Sequence, residues 1–493
     1  VNLSGNLAAV SERDLDEDGT LNIFDTHMKK ESVMDAGYYY HCAILDNASL
    51  YCWGYNNYGQ LGDGTTTQSN TPVAVNLPSG RTASSVSAGQ QHTCAILDDS
   101  SLYCWGFNSD GQLGDNSTTS SSTPVEVDLP SGRTASSVSA GQYHTCAILD
   151  DASLYCWGNN DYGQLGDSTT SQSNYPVAVI LPSGRTVSSV STGGGGAGSG
   201  SHTCATMDNA SLYCWGDNSN GQLGDGTTTQ SNTPVAVSLP SGRTVASAIT
   251  GSRHTCAILD NNSLYCWGYG SYGVLGTGAS GPDSSVPIEI TFPSGRTVLS
   301  VSGGGFHSCA VLDNLSTYCW GANYDGELGG GTTALVSLTP VAANLPNGRT
   351  ATSVSVGLFH SCASLDDSSI YCWGDNGYGQ LGGGTSNAYS HTPVAVNLPS
   401  GRTVTAIDTD LDGDGVIDSN DDFLNNPARS INCPAGSYGR YVCIDASAGN
   451  YVANNSWLIY DSQNLATGYA HTCAILDNGS VTCWGSNNYG QLG

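Results

Sequence analysis

The fold is decided by the stretch His92-Thr-Cys-Ala-Ile-Leu-Asp-Asp-Ser-Ser-Leu-Tyr-Cys-Trp-Gly106 and the Phe107-Asn-Ser-Asp-Gly-Gln-Leu-Gly114 that follows it. Versions of it recur about every 52 residues, eight times along the 493-residue chain. Each carries two cysteines ten positions apart: Cys42 and Cys52, Cys94 and Cys104, Cys146 and Cys156, Cys204 and Cys214, Cys256 and Cys266, Cys309 and Cys319, Cys362 and Cys372, Cys473 and Cys483. A period of this length marks a repeat architecture in which each unit hides its apolar face against the next.

Between the cysteines the residues describe a hairpin. Asp46, Asn47, Ala48 and Ser49 favour a turn, and apolar residues flank them on both sides. Folding about Asn47 sets Cys42 opposite Cys52. Facing residues of an antiparallel pair have Cα atoms roughly 4.5–5.5 Å apart, within disulfide range. A ninth pair, Cys433 and Cys443, has the same spacing and accounts for all 18 cysteines. Nine disulfides imply an oxidising, extracellular setting, either secreted or at a cell surface. Zinc is the rival reading, because His41, His92, His144, His202, His254, His307, His360 and His471 stand one or two residues before a cysteine. The spacing lacks the short Cys-x-x-Cys step of structural zinc sites. The histidine is therefore expected to satisfy a backbone group within its own unit.

Working outward, each Cys-Trp-Gly leads into a Gly-rich turn and a Thr/Ser-rich loop. A strand of the type Thr71-Pro-Val-Ala-Val-Asn-Leu-Pro78 follows, then a Ser-Gly-Arg-Thr turn and an alternating Ala-Ser-Ser-Val-Ser-Ala. The turn carries Arg81, Arg133, Arg185, Arg243, Arg296, Arg349 and Arg402. Four short strands per unit point to an all-β propeller with disulfide-stapled blades. The glycine run at 193–200 lengthens one surface loop.

Gly-x-x-His-Thr/Ser-Cys-Ala, Tyr-Cys-Trp-Gly and Asn-x-x-Gly-Gln-Leu-Gly resemble the repeat of the regulator of chromosome condensation family, over residues 37–405 and 471–493. The resemblance implies seven blades. It also implies a range of roles, from exchange factors for a nuclear small GTPase to ubiquitin-ligase scaffolds and secreted inhibitors. The cysteine pairs and the acidity of this chain depart from that pattern, so exchange activity is not carried over. An eight-bladed ring is the alternative, since eight units are present.

Two acidic loops interrupt the repeats. Asp14, Asp16, Asp18, Thr20, Asn22 and Asp25 surround Gly19, and Asp410, Asp412, Asp414, Val416, Asp418 and Asp421 surround Gly415. Carboxylates at loop positions 1, 3, 5 and 12, a carbonyl at 7 and a ligand at 9 can wrap one Ca2+. The pattern is similar to the loops of dockerin and thrombospondin type-3 modules. The chain divides into residues 1–36 (strand and calcium loop), 37–405 (seven repeats), 406–470 (second calcium loop, with Cys433 and Cys443) and 471–493 (half of an eighth repeat). Val1-Asn-Leu-Ser-Gly parallels Val396-Asn-Leu-Pro-Ser-Gly, so residues 471–493 and an N-terminal strand suit one shared blade. Sharing within the chain gives an eight-unit ring, sharing between subunits gives head-to-tail self-association, and a truncated chain gives neither. Val1 follows no charged or apolar leader, as in a processed secreted chain or a fragment.

A formal charge of −29, with 13 basic against 42 acidic residues, excludes nucleic acid and anionic membrane as partners. No apolar run is long enough for a membrane span. Asn2, Asn47, Asn116, Asn209, Asn261, Asn314, Asn454 and Asn478 satisfy the glycosylation sequon. Some of the 26 tyrosines flank the Gly-rich turns, as packing or as a face for sugars or protein. No nucleophile–base set stands out from the repeat, so an enzyme is not expected. The reading is a calcium-stabilised structural or adhesive cell-surface protein, able to assemble into a filament or layer. A discrete extracellular propeller that binds a glycan or protein is the alternative.

Overall fold

The computed structural model describes residues 33–193, 201–385, 387–404 and three C-terminal strands. Both calcium loops, the pair Cys433 and Cys443, the glycine run beyond Gly193, and Asn2, Asn454 and Asn478 lie outside the described residues.

Seven four-stranded antiparallel sheets follow one another along residues 34–395. In the first, β1 (Met34–Ala36), β2 (Tyr40–Ile44), β3 (Leu50–Gly54) and β4 (Ser69–Ala74) run from the inside of the ring outward. The second repeats this with β5 (Ala83–Ala88), β6 (His92–Leu97), β7 (Leu102–Gly106) and β8 (Ser121–Glu126). Blades 3 to 7 span 135–178, 187–236, 245–290, 298–342 and 351–395. The innermost strands border a central cavity of about 190 Å³.

The hairpin expectation holds in all seven blades. Cys42 faces Cys52 in register, and Cys94 faces Cys104. In the same way Cys146 faces Cys156, Cys204 faces Cys214 and Cys256 faces Cys266. Cys309 opposite Cys319 and Cys362 opposite Cys372 complete the ring. All seven pairs form cystines, with Cα separations of 4.0–4.1 Å. Those separations fall just short of the expected range, because each pair sits at a narrow position of its hairpin. Each cystine closes a short loop and contributes roughly 2–3 kcal/mol. Strands His471–Ile475 and Val481–Gly485 pair in the same register, Cys473 against Cys483, in a three-stranded sheet completed by Leu465–Thr467.

The ring holds seven blades, which removes the eight-bladed alternative. Both ends of the ring meet inside one inner strand. Met34 pairs with Ala43, and Val404 bridges Leu45 two residues further along the same β2 edge. Ala83 and Val86, in the second blade, take these places within one continuous β5. The inner strand of blade 1 is thus built from chain on either side of the propeller, and Met34–Ala36 belongs to the ring although it precedes residue 37. Arg402 then pairs with Asp46 at 3.5 Å, as Arg81 pairs with Asp98 at 3.3 Å within the run of blades.

Blades are joined by the repeat motifs themselves. Trp105 is fully buried and donates its indole N–H to the Gln60 carbonyl of the preceding blade at 2.9 Å. Gly59 carries φ +83, and an added Cβ would collide with the Ser122 backbone of the next blade. Asn56 Oδ1 accepts from Leu61 N–H, and its amide donates to Thr65 and Thr67 carbonyls, which fixes the loop that presents Gln60. The Asn-x-x-Gly-Gln-Leu-Gly motif is therefore an inter-blade latch.

The histidines do not satisfy backbone groups in their own blade, contrary to expectation. His92 Nε2 lies 2.8 Å from Thr145 Oγ1, and that hydroxyl donates to the Gln112 carbonyl at 2.9 Å. The single hydroxyl proton is committed, so His92 is the Nε2–H tautomer and donates. His144, His202, His254 and His307 reach Thr203, Thr255, Ser308 and Ser361 of the following blade at 2.8–2.9 Å. The column joins blade to blade because a buried imidazole needs a polar partner and the disulfide beside it offers none.

Candidate functional site

Loops at one end of the strands gather the aromatic side chains. Residues preceding the strand-2 histidine and residues following Cys-Trp-Gly emerge side by side there, because His92 pairs with Gly106 in register. Ring contacts run without a break across six blades. From Tyr143 the path passes to Phe107 (6.1 Å between centroids), Tyr58 (4.8 Å), Tyr55 (6.3 Å) and Tyr378 (4.9 Å). It continues through Tyr39 (5.1 Å), Phe359 (6.1 Å), Phe306 (6.2 Å), Tyr272 (5.6 Å) and Tyr324 (6.1 Å). Tyr272, Tyr324 and Tyr378 are exposed, and the others are half-buried. Blade 4 breaks the arc with Asp217 and Asn220 at the corresponding places.

Carboxylates stand among these rings. Burial, followed by the nearby Asp375, pushes the Tyr39 hydroxyl up to about 12. Burial also raises Asp325, with Asp375 adding to the effect. Arg253 stacks on Tyr269 at 5.7 Å. The other seven arginines among the described residues pair with hairpin-tip aspartates at the opposite end of the blades. Those tips also carry Asn47, Asn209, Asn261 and Asn314, each holding a nearby serine hydroxyl. Asn116 lies instead in the β7–β8 loop, with φ +64.

Glu327 stands where other blades have Gln60, Gln112, Gln164, Gln222 and Gln380. Its side chain is fully buried, Oε2 accepts from Asp325 N–H, and Oε1 has no partner. Burial raises its carboxyl to about 7. The folded ring thus favours the protonated acid. Its contribution to stability is complete below the unfolded value near 4.5 and is lost as pH rises through about 7. Glu327→Gln should stabilise the ring above pH 7 by about 2–3 kcal/mol at most, and should leave stability near pH 4 unchanged. Urea unfolding of both proteins at the two pH values checks this; an equal midpoint at pH 8 contradicts it.

Tyrosines near the Gly-rich turns were visible in the sequence, but the arc was not. The missed residues are Tyr39, Tyr143, Phe306 and Phe359, which share the column before the strand-2 histidine position with Gln91, Ser201 and Arg253. Reading that column across repeats would have exposed the bias.

The regulator of chromosome condensation (RCC1) repeat model matches residues 47–96, 99–148, 151–205, 209–258, 261–311, 316–364 and 367–409. The chain is 29% identical over 359 residues to the ultraviolet-B receptor UVR8 of Arabidopsis thaliana, covering 73% of this chain and 80% of the receptor. It is 29% identical to the human E3 ubiquitin-protein ligase HERC2 over 73% of this chain but only 7% of that protein. Yeast RCC1 (Prp20), solved bound to Kap60, superposes with a TM-score of 0.65 at 20% identity, covering 76% of this chain and 87% of the other. Human WBSCR16 gives 0.64 at 22% identity, over 71% and 95% of the two chains. With seven repeats matched and seven blades closed, the chain belongs to the RCC1 repeat family.

Proposed function

We propose that this propeller is a discrete binding module that holds a protein partner on its aromatic, acidic face. The observation that carries this reading is the arc of ring contacts from Tyr143 to Tyr324, with Asp325 and Asp375 set among the rings. Aromatic clusters with exposed edges bind well because rigid rings lose little entropy on association. The rings meet mostly edge to face, which occupies their flat surfaces and favours protein side chains over stacked sugars. The acidic setting selects a partner surface rich in lysine and arginine. A relative, Prp20p of Saccharomyces cerevisiae, has been studied for its binding to Gsp1p and histones, which supports a protein ligand.

The test uses the full chain and arrays of basic and acidic peptides. Basic peptides should bind, and more weakly as salt rises. Tyr272→Ala, Tyr324→Ala and Tyr378→Ala combined should weaken binding about 10- to 100-fold while the thermal midpoint stays within a few degrees. Equal binding by this variant, or a preference for acidic peptides, rejects the face as the site. The seven cystines support action in an oxidising compartment. Glycans on the Asn47, Asn209, Asn261 and Asn314 tips would leave the aromatic face open.

The two acidic loops make the same protein a calcium binder. Calorimetry should show uptake of two Ca2+ at up to millimolar concentration, with chelation lowering the thermal midpoint. No heat of binding at millimolar calcium removes this part of the reading.

A further inference from the structure

Where the ring closes, the inter-blade relay fails. His360 of blade 7 stands in the histidine column, and the place of its threonine partner is taken by His41. The register shows why: Tyr40 faces Gly54 as His92 faces Gly106, and His41 faces Trp53 as Thr93 faces Trp105. Two imidazoles therefore meet, with centroids 6.1 Å apart, both fully buried. None of their four ring nitrogens has a hydrogen-bond partner. At the blade 6–7 junction the equivalent His307 has its hydroxyl, Ser361, which also lies 3.7 Å from Cys309 Sγ. That column therefore abuts the preceding blade's cystine. At the closure the ligand atoms of His41, His360 and Cys362 all lie within 4.8 Å of one another, and Cys362 is bonded to Cys372.

We propose that this seam is a redox-gated zinc site of the Cys2His2 type, formed by His41, His360, Cys362 and Cys372 when their cystine is reduced. Ligand atoms around tetrahedral zinc stand roughly 3.3–3.8 Å apart, so His41, His360 and Cys362 need to close by about 1 Å, and Cys372, bonded to Cys362 within the cystine, must swing away from it on reduction to take the fourth place. A dithiol reductant supplies two electrons and two protons, closes to its own disulfide, and breaks the Cys362–Cys372 bond to two thiols. Zinc displaces both thiol protons to solvent and forms two Zn–S and two Zn–N bonds. The two thiolates cancel the charge of Zn2+, so no net charge is buried, which the dry seam requires. Each imidazole gives up a lone pair that is otherwise unpartnered. In the oxidised protein the cystine is a poor donor and the site stays closed to metal. The other six blades of the ring cannot do this, because the residue in that column hands its polar atom to a hydroxyl or a carbonyl of the next blade.

The experiment titrates the full chain with Co2+ and then Zn2+, before and after treatment with a phosphine reductant. Reduced protein should take up one more Co2+ with the visible band of a tetrahedral sulfur–nitrogen site than the oxidised protein does, and zinc should abolish that band. His41→Thr rebuilds the relay used elsewhere and should lose that increment while folding normally. His360→Ala reads the same ligand loss should His41→Thr fail to fold. The proposal is overturned by an equal increment in these variants or by no band in reduced wild type. Loss of the β-sheet signal on reduction, with or without zinc, also overturns it.

Discussion

Acidification below about pH 6 is expected to unfold the ring over a narrow interval. Burial pushes the imidazoles of His92, His144, His202, His254, His307 and His360 down to about 3, and holds His41 well below its ordinary value, with His360 adding to the effect. In the unfolded chain each takes a proton near pH 6.5. The folded state refuses those protons, so the stability tied to each group is present above pH 6.5 and is lost as pH falls toward 3. Each histidine contributes a slope of about 1.4 kcal/mol per pH unit inside that window, and the seven together approach 10. Protonation of Glu327 and Asp35, both raised by burial to about 7 and about 6, opposes the loss without reversing it. Circular dichroism against pH should show one cooperative transition between about pH 4 and 6. The proton uptake on unfolding should approach seven, less the two acids. His202→Asn should reduce that count by one. A ring that keeps its sheet signal at pH 3.5 would overturn this expectation.

Removing the closing tryptophan is the second large effect. Trp53 is fully buried, packs against His41 with ring centroids 5.0 Å apart and donates to the Gln380 carbonyl across the seam at 3.0 Å. Gly382 of blade 7 lies against its indole nitrogen, so close that an added Cβ would stand 2.7 Å away. Trp53→Ala leaves a cavity the size of an indole and an unpartnered carbonyl, and should cost about 3–5 kcal/mol. Trp53→Phe keeps most of the packing and should cost about 1–2 kcal/mol, chiefly the lost N–H donor. Trp157→Ala, in the middle of the run of blades, is the control with the same burial and the same bond, to Gln112. Urea denaturation measures all three. A loss below 1 kcal/mol for Trp53→Ala would mean that this side chain carries little of the seam's stability, and that closure rests on the Met34, Val404 and Arg402 contacts instead.

Within a blade, almost everything could be read from the chain. Cys94 and Cys104 face each other because a tight turn between two apolar runs leaves no other register. Four strands per unit followed from the alternation of Ala-Ser-Ser-Val-Ser-Ala and the Gly and Pro punctuation around it. The histidine was misread because its partner, Thr145 for His92, lies 53 residues away and is invisible within one repeat. Repeat 1 did carry a signal: Tyr40-His41-Cys42 stands where the other repeats have His-Thr-Cys or His-Ser-Cys, so its histidine is shifted by one place. Because the strand period is two, that shift turns a side chain from one face of the blade to the other.

The sequence by itself determined the repeat, the hairpins, their cystines and the all-β class, since each rests on neighbours within about a dozen residues. Only the tertiary structure decided that seven units close and that Met34–Ala36 and Val404 share one inner strand. It also decided that aromatic rings from six blades form one arc and that His41 meets His360. Those outcomes depend on how much each blade rotates against the next, a quantity set by packing around Trp105 and its six counterparts. Small rotations add up around a ring, and the sum fixes which distant residues meet.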